Sequence, residues 1–299
     1  VSAHPSGPHE RPGHTLAVEG ATIGYDDRVV VHDLSLAVPP GKVTIVVGAN
    51  ACGKSTLLRA MARLLRTRSG RVLLDGVPIT DVPSRQVATV LGLLPQAPVA
   101  PEGIAVADLV GRGRYPHQGW LRRWTAEDDA IVEEALAATD TLELADRPVD
   151  ELSGGQRQRV WIAMALAQRT DVLLLDEPTT FLDVAHQVEV LDLLTDLNRQ
   201  RGTTVVMVLH DLNLAARYAD HLVAVRAGRL YAQGDPAEVV TEQMVRDVFG
   251  MESRVVPDPV AGSPLVLPLG RHHGGPRRPG DDRPVALPAD GGAVAHGVP

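Results

Sequence analysis

Three stretches of the chain hold residue types whose spacing could do chemistry on phosphates. The first, Gly48-Ala49-Asn50-Ala51-Cys52-Gly53-Lys54-Ser55-Thr56, fits the pattern G-x-x-x-x-G-K-[ST]. In such a loop, backbone N–H groups and the next helix's N-terminus surround the phosphates. Lys54 adds a point charge at the β/γ oxygens, and the Ser55 hydroxyl ligates Mg²⁺. The second, Asp171-Val172-Leu173-Leu174-Leu175-Asp176-Glu177-Pro178, is an apolar run ending in two carboxylates. It suits Asp176 to hold the Mg²⁺ water shell and Glu177 to polarise an attacking water. Alone, that acidic end is only moderately specific and also fits a plain strand-to-turn junction.

The third stretch, Leu152-Ser153-Gly154-Gly155-Gln156-Arg157-Gln158-Arg159, begins with a natural N-cap. Its two glycines allow a phosphate to approach the helix that follows, making a second anion site. Two phosphate-facing helix starts so far apart in sequence are difficult to use on one nucleotide unless two chains face each other. Cys52 sits within the first loop beside helix N-terminal amides, a setting that favours thiolate character. Alkylation there is expected to block ATP binding; the alternative is an inert small side chain.

These residues need elements to position them. Alternation in Leu16 to Ile23 and Val29 to Val38 predicts antiparallel strands, and Val43 to Val47 a buried strand. A helix is expected from Lys54 to Leu65, giving strand, glycine loop, helix. From Pro98 to Arg147 strand signals fade, and Ala126 to Ala138 and Thr139 to Leu144 carry helical spacing. Strands return at Val172 to Leu175, Val205 to Leu209 and Leu222 to Val225, separated by helices at Val184 to Arg201 and Leu212 to Tyr218. The alternation implies a largely parallel sheet with covering helices: a P-loop α/β core, an antiparallel β portion from the N-terminal strands, and a helical subdomain at about 98–169. The folded domain is expected to span 15–270, with disordered tails at 1–14 and 271–299, both rich in Pro and Gly.

The 299 residues are 44% hydrophobic, enough for a substantial core. A formal charge of −8 and 3% aromatics give no basic footprint, so nucleic acid is not an expected partner. One cysteine, and a first segment without the apolar core of a signal peptide, suggest the reducing cytosol. Apolar runs are strand-sized, so membrane association is expected only through a partner. His4, His9, His14, His272 and His273 lack ligand spacing and are read as solvated.

Leu152 to Gln156, with its trailing Arg157-Gln158-Arg159, resembles the signature motif of ABC ATPases, and the resemblance covers Thr15 to Gly270. It implies an ATPase in which Ser153 and Gly155 of one copy contact the γ-phosphate held by Lys54 of the other, with Gly154 and Gln156 in the same turn. Two ATP molecules then join a head-to-tail homodimer. By the same resemblance, Tyr25 matches the adenine-stacking aromatic and Gln96 the residue linking Mg²⁺ to the membrane subunits. Asp183 matches the cross-dimer aspartate and His210 the γ-phosphate switch histidine. Catalysis would fall to Glu177, His210, Lys54 and Gln96, with Ser55, Gln96 and Asp176 around Mg²⁺.

Gly113 to Gln118, Glu177 to Asp183 and His210 to Asn213 look like ATPases of iron-siderophore importers, within the wider siderophore, haem and cobalamin group. The implied partners are a second copy, integral membrane permease subunits and, indirectly, an extracytoplasmic substrate-binding protein. The implied location is the cytoplasmic face of the cell membrane. Haem, cobalamin or another chelate stays open as cargo, because the permease and binding protein select it. An ABC ATPase of DNA repair or translation fits less well, since the chain has one copy of each motif and a short insert. Two features depart from the family pattern. Ala51 replaces a glycine and is expected to resist a positive φ at a cost of about 1 kcal/mol. The tail from Gly274 has no counterpart.

Overall fold

The computed structural model describes residues 13–118 and 124–270; the expected tails lie almost wholly outside these. In chain order the elements are β1 (Leu16–Tyr25), β2 (Arg28–Val38), β3 (Val43–Val47), α1 (Lys54–Met61), β4 (Thr67–Leu74), β5 (Val77–Pro78), α2 (Ser84–Val90) and β6 (Leu91–Leu94). Then come α3 (Val106–Gly111), α4 (Ala126–Ala138), α5 (Gly154–Ala167), β7 (Val172–Asp176), α6 (Val184–Arg201), β8 (Thr204–Val208) and α7 (Leu212–Tyr218). The chain continues through β9 (His221–Arg226), β10 (Arg229–Gly234), α8 (Pro236–Val239), α9 (Glu242–Met244), β11 (Ser253–Pro257) and β12 (Pro264–Pro268).

The central sheet has six strands in the order β10-β9-β3-β8-β7-β6, parallel except where β10 returns antiparallel on β9. Strands β3, β7 and β8 and the middle of β9 are buried and apolar at nearly every position because both faces are covered there. The period-two alternation divides them: Ile45, Leu173, Leu175, Val205 and Met207 join the core shared with α3 to α7. Val46, Val172, Leu174, Val206 and Val208 join the core shared with α1 and the antiparallel sheet β2-β1-β4-β5. β1 and β2 pair from Leu16↔Val38 to Tyr25↔Arg28, which carries Tyr25 to the hairpin end.

The helix α1 stops at Met61, short of the expected Leu65. The chain turns at Arg63 (φ +61), whose guanidinium donates to the Val82 and Thr80 carbonyls at 2.6 and 3.1 Å. Thr139 to Leu144 forms only a short 3₁₀ turn at Leu142–Leu144. In the helical insert, Thr125 and Asp128 cap α4 reciprocally. Buried Asp128 also accepts from Arg114 Nε at 3.1 Å, while Arg114 Nη1 donates to Ala167 O at 2.9 Å. His14, expected with the solvated tail, instead lies 2.6 Å from Asp75 and 3.4 Å from Asp171. Among the described residues no helix is long and apolar enough to cross a membrane.

Candidate functional site

The glycine loop connects β3 to α1 and is held by close packing. A Cβ on Gly48 would stand 2.3 Å from the Val225 carbonyl oxygen, and Gly53, the N-cap of α1, has φ +105. Ala51 takes φ +60, the left-handed region that its Cβ disfavours. Lys54 is buried, its Nζ donating to the Gly48 and Ala49 carbonyls at 2.9 and 3.0 Å. The ammonium is therefore anchored by two carbonyls of its own loop.

At the end of β7, Asp176 Oδ1 accepts from Ser55 Oγ at 2.9 Å, while Oδ2 is buried with no hydrogen-bond partner. Burial raises the Asp176 carboxyl above its ordinary range; the Ser55 hydrogen bond opposes this and the neighbouring Glu177 charge adds to it. A hydroxyl beside a buried carboxylate with a spare oxygen is a hard-oxygen donor set that suits Mg²⁺.

Glu177 follows at φ +56, 8% exposed. Its Oε1 lies 2.6 Å from His210 Nε2, and its Oε2 accepts from Thr180 Oγ1 at 3.3 Å. A carboxylate gripped from two sides on a strained backbone is a group fixed in direction, as a water-orienting base must be.

One open cleft of about 540 Å³ gathers Tyr25, Asn50 to Thr56, Gln96, Glu177 and His210. Arg28 and Val30 also line it, and neither was expected from sequence. Arg59 was missed too: its Nη1 donates to the Tyr25 hydroxyl at 3.2 Å, a contact between α1 and the β1 hairpin end with no local signature.

Cys52 corrects the expectation of thiolate character. Burial pushes its thiol up, and the opposing pull of Lys54 and its amide does not overcome it. The side chain is 7% exposed, close-packed under Gly48.

Ser153 to Gln156 and Asp183 are absent from the cleft lining. Ser153 Oγ accepts from Gln156 N at 3.3 Å, and Gln156 Oε1 accepts from Ser153 N at 3.1 Å, a capping box at the start of α5. Asp183 caps α6, its Oδ1 accepting from His186 N at 2.9 Å; that backbone bond and the His186 ring hold its carboxyl low. Buried Gln158 Nε2 donates to Pro178 O at 2.8 Å and links α5 to the segment after Glu177. Among the described residues nothing requires the signature glycines. A Cβ would meet Phe181 Cβ at 3.8 Å from Gly154, and Leu182 Cδ2 at 3.6 Å from Gly155, both ordinary contacts.

The family described as ABC transporter matches residues 31–180. The chain is 55% identical over 256 residues to the probable siderophore transport system ATP-binding protein YusV of Bacillus subtilis (strain 168), covering 86% of this chain and 93% of YusV. It is 57% identical over 250 residues to the achromobactin transport ATP-binding protein CbrD of Dickeya dadantii (strain 3937), covering 84% and 93%. Among solved structures it is similar to the dimeric post-hydrolysis state of the ATP-binding cassette MJ0796 bound to ADP and Pi. There the TM-score is 0.67 at 25% identity, covering 74% of this chain and 98% of the other.

Proposed function

The chain belongs to the ABC transporter family and is an ATP-hydrolysing subunit, and from that premise we propose that it drives import of iron(III)-siderophore complexes through a separate membrane permease. The names of YusV and CbrD support this cargo, and the haem or cobalamin alternative has less behind it. The subunit pairs with a second copy on permease subunits at the cytoplasmic face of the membrane. An extracytoplasmic binding protein delivers the chelate.

The observation that carries the mechanism is a division of labour. Lys54, Ser55, Glu177 and His210 line one cleft, with Asp176 bonded to Ser55 behind it, while the capped, sterically open start of α5 stands outside it. A second copy offering Ser153 and Gly155 would close that cleft over the γ-phosphate.

In this reading Tyr25 stacks on adenine, the loop amides and Lys54 hold the phosphates, and Glu177 directs a water at the γ-phosphorus. His210 steadies Glu177 and, with Lys54, offsets the charge that develops on the phosphoryl oxygens. Ser55, Asp176 and Gln96 would hold Mg²⁺, which neutralises phosphate charge when bound. Closure of the pair pulls on permease helices seated near Gln96 and Tyr115 and converts nucleotide occupancy into alternating access.

Glu177→Gln tests the assignment: ATP binding is expected to persist while turnover falls by about 10²–10⁴. Wild-type turnover in that variant removes Glu177 from catalysis. Uptake of radiolabelled ferric siderophore, haem and cobalamin in a deletion strain decides the cargo, with loss of haem or cobalamin uptake alone refuting the siderophore reading.

A further inference from the structure

The helix that follows His210 is tied along one face to the C-terminal hairpin. His210 stands between the end of β8 and Asp211, the N-cap of α7, whose Oδ1 accepts from Asn213 N and Leu214 N at 2.8 and 2.9 Å. Helix α7 has seven residues, too few to hold its geometry without packing.

Asn213 and Arg217 are four residues apart and share a helix face. The Asn213 carboxamide pairs with the backbone of Val266 as another strand would: Val266 N donates to Oδ1 at 2.7 Å, and Nδ2 donates to Val266 O at 3.2 Å. Val266 is buried in the main core, and its Cα partner within the hairpin is Val255. One turn on, Arg217 Nη2 lies 2.5 Å from Asp258 Oδ2. Asp258 also organises the loop between β11 and β12, its Oδ1 accepting from Val260 N and Ala261 N at 2.8 and 3.3 Å.

The other end of this chain of contacts is catalytic. The His210 side chain is 45% exposed, and its ring meets Glu177 at 2.6 Å. A shift of about 1 Å at the start of α7 takes that contact out of hydrogen-bond range.

We propose that the β11–β12 hairpin is a brace that sets α7, and through it the His210 ring against Glu177, with Asn213 and Arg217 as positioning residues for ATP hydrolysis. This rests on the ATPase roles of Glu177 and His210. The competing explanation is that Asn213 only covers the open edge of β12, which would cost stability and leave turnover per folded site alone.

The test is steady-state Mg·ATP hydrolysis by the purified full-length chain, with ATP-binding stoichiometry measured on the same samples. Asn213→Leu keeps the branching of the side chain and removes both bonds to Val266. Its kcat is expected to fall about tenfold, with KM for ATP within about twofold and full binding stoichiometry. Asp258→Asn loosens the brace from the hairpin side and should lower kcat several-fold with the same split. If Asn213→Leu does not fold, Asn213→Asp, which keeps the acceptor for Val266 N–H, replaces it with the same expectation. Unchanged kcat, or kcat and stoichiometry falling together, overturns the brace. Wild-type turnover in Glu177→Gln would instead sink the underlying reading, whatever Asn213 does.

Discussion

Gly155→Ala separates two reasons why a helix should begin with paired glycines. If the fold needed Gly155, an added methyl would clash. The geometry says otherwise: the new Cβ meets Leu182 Cδ2 at 3.6 Å and Phe181 O at 3.8 Å, within normal packing. Gly155 lies in the first turn of α5 and has no positive φ, so alanine should raise stability by about 0.5 kcal/mol through a less flexible unfolded chain. For a domain of this size that is a rise in Tm of about 1–2 °C.

Function should move the opposite way. The methyl occupies the space through which the partner's γ-phosphate would approach the amide, and a displacement of about 1 Å costs on the order of 10² in rate. Binding of ATP to the single chain, which uses Lys54 and the loop, should be unchanged. The assay is thermal unfolding, ATPase turnover, and light scattering of an ATP-locked Glu177→Gln background with and without Gly155→Ala. The reasoning fails if the variant loses more than about 1 kcal/mol, because glycine then serves its own fold. It fails equally if dimerisation and turnover persist, because nothing then approaches that helix start.

Ala51→Gly relieves the left-handed strain at φ +60 and should stabilise the free protein by up to about 1 kcal/mol, read as Tm, while Ala51→Val should do the reverse. Asp176→Asn removes a buried carboxylate whose charge is disfavoured. Its raised carboxyl contributes stability below the ordinary carboxylate range and loses it as pH rises, so at neutral pH the variant should unfold at higher temperature while losing the stabilisation by Mg·ATP. Burial alone would raise the Asp128 carboxyl, but hydrogen bonds from Arg114 and Thr125 hold it below its ordinary value of 3.8. Its contribution is complete above that value and is lost as pH falls through the lower folded one. Arg114→Leu should therefore cost about 3 kcal/mol at neutral pH in urea unfolding, with a smaller difference in acid. Cys52 should react with maleimide far more slowly than a free thiol at neutral pH, rising on unfolding; equal rates would contradict its burial.

The glycine loop, the acidic strand end and the capped helix start were legible because each is a local pattern whose backbone geometry follows from adjacent residues. Strands β3, β7, β8 and β9 were legible for a related reason, their continuous apolar runs being what a sheet covered on both faces demands. Strands β4, β6 and β10 gave no such signal. Thr67 to Arg71 of β4 is polar and mostly exposed, β6 has only four residues with Gly92 among them, and β10 alternates without ever becoming buried. Their pairing comes from neighbours distant in sequence. The contacts of Arg59 with Tyr25, Gln158 with Pro178 and Asn213 with Val266 were likewise invisible, each joining segments that only the folded chain brings together.

Backbone strain gives the site a further logic. Ala51, Glu177 and Phe181 all hold positive φ without being glycine, and the first two line the cleft beside Lys54 while Phe181 neighbours Gly154 and stands 78% exposed. Each such residue costs about 1–3 kcal/mol and persists only where its surroundings fix it. Glu177 has those surroundings in His210, Thr180 and the end of β7. Phe181 is mostly exposed, and an exposed aromatic ring beside the signature glycines is the surface a second copy would cover. These three residues lie where two chains and one triphosphate would have to meet, whereas the other positive-φ residues, among them Arg63, Asp75 and Asp140 in turns, sit outside the cleft lining.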